Sequence, residues 1–110
     1  MEIHLTQYLL PDGRQREVSV DVPDSLRAKL AKIRKAGLTI EAEVLTTAEV
    51  SFTLACHKYA ADYDILICTN GPGTRENLIR LIERFDEKEC KKWLREQEQA
   101  DDGLGVGWGT

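Results

Sequence analysis

The chain has 110 residues, 42% of them apolar and 31% charged, with a net charge of −4. That length supplies one core and excludes two domains of ordinary size. No apolar run approaches the roughly 20 residues that span a bilayer, and the acidic balance disfavours non-specific attraction to nucleic acid.

Ile3, Leu5 and Leu9 alternate with His4, Thr6 and Tyr8, and Gln7 falls on the apolar side. Period-two alternation marks a strand with one buried face. Pro11-Asp12-Gly13 is a turn signal, since proline fixes φ and glycine accepts positive φ. Val18, Val20 and Val22 then alternate with Glu17, Ser19 and Asp21. The two runs predict a hairpin with strands over 2–10 and 15–22.

Pro23-Asp24-Ser25 predicts a helix start, with Asp24 or Ser25 accepting from the first free amides. Leu26, Leu30 and Ile33 form one helical stripe, and Gly37 is the expected left-handed end. The rest of this helix carries Arg27, Lys29, Lys32, Arg34 and Lys35, a third of the 15 Lys and Arg residues.

Three strands follow between Leu38 and Thr69. Leu38, Ile40, Ala42 and Val44 alternate with Thr39, Glu41 and Glu43. Val50, Phe52, Leu54 and Cys56 alternate with Ser51, Thr53, Ala55 and His57. The short polar link at Thr46-Thr47 predicts an antiparallel hairpin. The third run, Tyr63 to Thr69, is nearly all apolar, as expected of a strand covered on both faces. Its alternation is expected to put Leu66 and Cys68 on the open side of the sheet.

Asn70-Gly71-Pro72-Gly73 predicts a turn, and Thr74 the cap of a helix with Leu78, Leu81, Ile82 and Phe85 on one side. At Asp86 the phase slips. Asp86 and Glu89 have capping-box spacing, so the last helix is expected to kink or split there before Cys90, Trp93 and Leu94. The domain is expected to cover 1–100. Residues 101–110 form a Gly-rich tail, four glycines in the last eight positions, whose backbone entropy opposes ordering on its own.

The order ββαβββα predicts an α+β fold with a mostly antiparallel five-stranded sheet and helices on one face. The other face is then open, bearing His4, Thr6, Tyr8, Glu17, Ser19, Asp21, Thr39, Glu41, Glu43, Ser51, Thr53 and His57. A solvated face accounts for such polarity. A docking surface for a partner protein accounts for its acidity as well, because charge complementarity selects partners without a cleft. Glu17, Asp21, Glu41, Glu43 and His57 are the candidate partner-binding residues, together with Trp108, since tryptophan often anchors in a pocket. An unpaired strand edge and a second copy of the chain belong to the same reading.

Two alternatives stay open. Arg27, Lys29, Lys32, Arg34 and Lys35 would contact nucleic-acid phosphates. Gly71, Gly73 and Thr74, in the loop 70–74 between strand and helix, would hold an anion or ligand, as the site of a small binding domain or of an enzyme. They are not a phosphate-binding P-loop, because the Gly-Lys-Ser/Thr ending is missing. The stretch Ile65–Thr74 resembles the Gly-Pro-Gly loop of class I glutamine amidotransferases. The Gly-x-Cys-x-Gly elbow and the His-x-Glu that accompany that loop are absent, so no such activity is expected.

Cys56 and His57 are adjacent on a strand and point to opposite faces, so they form no catalytic dyad with each other. Three cysteines without Cys-x-x-Cys spacing give no zinc pattern and no disulfide framework. His4 and His57 lack ligand spacing on one element. No catalytic residue, metal or cofactor is expected, and the reading is that of a non-enzymatic protein. The start Met1-Glu2-Ile3-His4 lacks a basic and apolar leader, so the expected location is cytoplasmic.

Leu9-Leu10-Pro11-Asp12-Gly13-Arg14 and Asn70-Gly71-Pro72 together resemble turns of small uncharacterised proteins encoded by bacteriophages and prophages. That resemblance implies a bacterial cytosol and an accessory role bound to host or phage machinery. It carries no catalytic residues.

Overall fold

A computed structural model of the chain describes residues 1–9, 11–46 and 48–109; the side chains of residue 46 and of residues 101–109 lie outside that description. The strands are β1 (Glu2–Leu9), β2 (Arg14–Asp21), β3 (Thr39–Thr46), β4 (Glu49–Cys56) and β5 (Ala61–Thr69). The helices are α1 (Arg27–Lys35), α2 (Thr74–Glu83) and α3 (Glu87–Gly109), with a 3-10 turn at Asp24–Leu26 before α1. The fold is α+β, in the order ββαβββα.

The sheet is mixed, in the order β2-β1-β3-β4-β5. This corrects the mostly antiparallel expectation: β1 pairs with β3 in parallel, Thr6 beside Glu41 through Leu9 beside Val44. The reason is topological. β1 and β2 form an antiparallel hairpin. α1 then carries the chain across to the other side of β1, and the next strand enters in the direction of β1. β3–β4 and β4–β5 are antiparallel.

Helix boundaries follow local chemistry. Gly37 has φ +82°. Its N–H donates to the Arg34 carbonyl at 3.0 Å, and the Leu38 N–H donates to the Ile33 carbonyl at 3.2 Å. Together they close α1 with a Schellman-type turn. The expected cap at its start is absent, since no side chain caps the 3-10 turn or α1. The Asp24 carboxylate goes instead to the Met1 ammonium, 2.9 Å away, which holds its carboxyl below the usual range. Thr74 is not the cap of α2 either. It is the first residue of the helix, and Gly73 precedes it without a side-chain cap. The split at Asp86 is observed: α2 ends at Glu83, and the Asp86 carboxylate accepts from the Glu89 N–H at 3.0 Å. The backbone of α3 continues through the glycines to Gly109.

One core joins the elements. Leu26 and Ile33 from the α1 segment and Leu78, Leu81, Ile82 and Phe85 from the α2 segment are buried with Leu5, Ala42, Val50, Phe52, Leu54 and Cys56 of the sheet. α2 lies on β5 and touches α1. Lys29 ties the helices together, donating to the Glu83 carbonyl at 2.8 Å and also to the Phe85 carbonyl. These are carbonyls that a helix C-terminus leaves free, and a cation is favoured there.

β5 departs from expectation in phase. A register shift at Leu54/Ala55 inserts an extra residue opposite β4. A bulge turns two successive side chains to one side, and Tyr63 and Asp64 both engage the helix side. Tyr63 packs edge-on against Phe85 and Trp93, at centroid distances of 5.9 and 5.4 Å. Asp64 takes a bidentate pair of 2.7 Å bonds from Arg84. Beyond the bulge, Leu66 stands beside Phe52 and Cys68 beside Val50. Leu66 and Cys68 therefore belong to the covered face, and Ile65 and Ile67 to the open one, the reverse of the expected assignment.

Truncating Phe85 to alanine is expected to cost about 3–5 kcal/mol. Lys29→Met, which keeps the stem and removes the charge, is expected to cost about 1 kcal/mol. Urea unfolding followed by far-UV circular dichroism checks both. A Lys29→Met midpoint equal to that of the parent would mean that the lysine–carbonyl contacts add nothing.

Candidate interaction face

The registers assemble two rows across the open face. One runs Glu17, Thr6, Glu41, Thr53, Ile65 and the other Gln15, Tyr8, Glu43, Ser51, Ile67, each from β2 through β1, β3 and β4 to β5. Acidic residues sit on β2 and β3, small side chains on β4, and branched apolar ones on β5. Ser51, Thr53 and Ala55 are 6%, 8% and 5% exposed although they lie on this uncovered face. Longer neighbours rise on either side of them. The result is a band of closed-over small side chains along β4, between an acidic wall on β3 and an apolar wall on β5.

The apolar wall holds the two exposed large hydrophobic residues among the described ones, Ile65 at 46% and Ile67 at 60%. In the acidic wall, Glu43 is exposed and Glu41 is half-buried. The Glu41 carboxylate accepts from the Thr39 hydroxyl at 2.9 Å and pairs with His57 Nε2. His57 stands at the end of β4 with its side chain exposed, while Cys56 is buried on the far side, as their adjacency predicts. These contacts fix the direction of Glu41 and bring His57, Glu41 and the Thr39 hydroxyl together. His4 is turned to Ser19, 3.0 Å from its hydroxyl. Among the described residues no group of three His, Cys, Asp or Glu side chains is placed to hold a metal.

The other candidates scatter. Glu17 shares the Glu41 row. Asp21 lies apart, beside the Met1 ammonium at 3.3 Å and Arg75 at 3.9 Å. The side chain of Trp108 lies outside the described residues. On α1, Arg27, Lys32, Arg34 and Lys35 are exposed, but Lys29 is committed to the end of α2. At the loop, the Gly71 N–H donates to Thr74 Oγ1 at 2.8 Å and the Thr74 N–H to the Gly71 carbonyl at 3.1 Å. The loop thus uses these amides on itself, and an anion at Gly71, Gly73 and Thr74 would have to displace them.

A cleft of about 380 Å³ opens elsewhere, lined among others by Ile3, His4, Leu30, Arg34, Thr39 and Ile40. It exists because the β1–β3 ladder begins only at Thr6 and Glu41. The chain descends from the Gly37 turn and reaches β1 late, so residues 2–5 of β1 and 39–40 of β3 stay splayed outside the ladder. Sequence alternation carries no sign of this splay. It also misplaced Ile65 and Ile67, because a bulge shifts phase without a signal of its own.

No family model, no curated protein and no solved structure matches the chain. Among the described residues no helix is long and apolar enough to cross a membrane.

Charge reversal at exposed Glu43 (Glu43→Lys) is expected to change stability by no more than about 0.5 kcal/mol. Glu41→Ala, which strips Thr39 and His57 of their partner, is expected to lose about 0.5–1.5 kcal/mol. Urea midpoints measure both. Equal effects at the two positions would mean that the Thr39–Glu41–His57 contacts do not order the face.

Proposed function

We propose that this protein is a non-enzymatic interaction module, and that the open face between the acidic wall on β3 and the apolar wall on β5 receives an amphipathic basic segment of a partner protein. The observation that supports this reading is the pairing of two unlike walls on one uncovered face. Glu41 and Glu43 stand on one side and Ile65 and Ile67 on the other, with nearly inaccessible small residues between them. A segment with Lys or Arg along one side and apolar side chains along the other satisfies both walls at once. Adjoining exposed apolar groups are a common mark of association, and the carboxylates would choose among partners by sign. An accessory role in a phage or prophage setting, within a bacterial cytosol, belongs to the same proposal and is supported by the turn resemblance alone.

Selection of a displayed peptide library on the immobilised protein tests the reading. Enriched sequences are expected to combine basic and apolar residues and to bind more weakly as salt is raised. Glu43→Lys is expected to weaken the selected peptides about tenfold, equivalent to about 1.4 kcal/mol. Peptides that bind Glu43→Lys and the parent equally well would overturn it.

A further inference from the structure

We infer that two copies of this chain associate through the free edges of β5, in antiparallel register about a two-fold axis at Ile67, to form one continuous ten-stranded sheet.

The inference starts from the contrast between the sheet's two edges. A strand edge offers unpaired N–H and C=O groups to another strand, and proteins usually guard such edges with charge, proline or short length. The β2 edge is guarded by Arg14, Arg16, Glu17 and Asp21. The β5 edge is nine residues long, and from Ile65 to Thr69 it carries neither charge nor proline. The charge just before that stretch, Asp64, is neutralised by the bidentate Arg84 contact.

Backbone parity identifies the outward groups. The Asn70 N–H donates to the Ala48 carbonyl at 2.8 Å, on the β4 side. Alternation then directs Cys68, Leu66 and Asp64 towards β4, and Thr69, Ile67 and Ile65 away from it. The Arg84 guanidinium bonded to the Ile65 carbonyl at 3.0 Å agrees with this parity, and that carbonyl keeps a second lone pair. The straight part of the edge is Ile65–Thr69, bounded by the bulge at one end and the Asn70-Gly71 turn at the other. Its midpoint is Ile67.

A two-fold axis there makes Ile67 exchange both backbone bonds with its counterpart, while Ile65 pairs with Thr69 of the second copy. Three consequences favour a second copy of this chain as the occupant. On the open face, the most exposed apolar side chain meets itself, and the two isoleucine pairs merge into one ridge. On the helix face, Leu66 stands opposite Cys68 of the second copy, and both are half-buried in the monomer. The acidic residues Asp62 and Asp64 lie at opposite ends of the pair, so like charges do not meet. This dimer extends the face reading without resting on it, since the acidic wall on β3 lies away from the shared edge.

Light scattering on a size-exclusion column is expected to give twice the chain mass for the parent. Ile67→Lys places two ammonium groups together on the axis and is expected to give the chain mass, with an unchanged far-UV spectrum because the side chain is exposed. Glu43→Lys is expected to keep the dimer mass, so loss of association and loss of peptide binding are read on different variants. Leu66→Cys tests the register. Residues 66 and 68 form a non-hydrogen-bonded pair across the new edge, with Cα atoms about 4.5 Å apart, within disulfide reach. Mild oxidation is expected to give a covalent dimer that thiol reductant reverses and that Leu66→Cys combined with Cys68→Ser does not form. A monomeric parent at high micromolar concentration, a dimer that persists in Ile67→Lys, or the lack of a Leu66→Cys cross-link would each overturn the proposal.

Discussion

Val50, Phe52 and Leu54 project from β4 into the layer formed by Leu78, Leu81, Ile82 and Phe85, and the other elements are placed by the need to complete that contact. β4 lies between β3 and β5, so its inward side chains meet the helices directly. The split between α2 and α3 lets each helix keep an apolar stripe on the sheet. A single straight helix could not, because the stripe changes phase at Asp86. Arg84 and Lys29 act at the end of α2, one anchoring it to β5 and the other to α1. The contact of Arg84 with Asp64 raises the guanidinium pKa above its ordinary value.

Covering one face leaves the other to define surfaces. Open-face side chains on β4 are small, and those on β3 and β5 are longer, so a flat sheet acquires relief without a loop or an insertion. The relief is also chemical, since acids and isoleucines occupy opposite sides of the same strand. The two edges differ in a similar way. β2 ends the sheet with charge, whereas β5 ends it with a short uncharged stretch beside a helix of mixed sign. The proposed binding and association both fall on the β3–β5 half of the molecule, while the basic residues of α1 look outward from the other layer.

Much of the fold was legible because it depends on local chemistry. Alternation located the strands, the Leu26, Leu30 and Ile33 spacing located α1, and Gly37 marked its end. The capping relation of Asp86 and Glu89 identified the helix break. Caps at Asp24 and Thr74 were misread. Residue type shows that a side chain can accept a bond, but a competing partner in space, the Met1 ammonium or the Gly71 turn, decides whether it does. Glu41, Glu43 and His57 were correctly placed on the open face. The apolar wall was not visible, since it rests on the phase of β5.

By itself the sequence determined the secondary-structure order, the side of each strand from β1 to β4 that faces the core, and the sign of the charge on each element. These depend on residues within one or two turns of each other. Only the tertiary structure decided that β3 runs parallel to β1, that Lys29 is spent on the end of α2, and that Ile65 and Ile67 rather than Leu66 and Cys68 reach solvent. Each of these depends on where a distant segment arrives. A crossover direction, a free carbonyl and a bulge are set by packing between elements, and the pattern within one element does not record them.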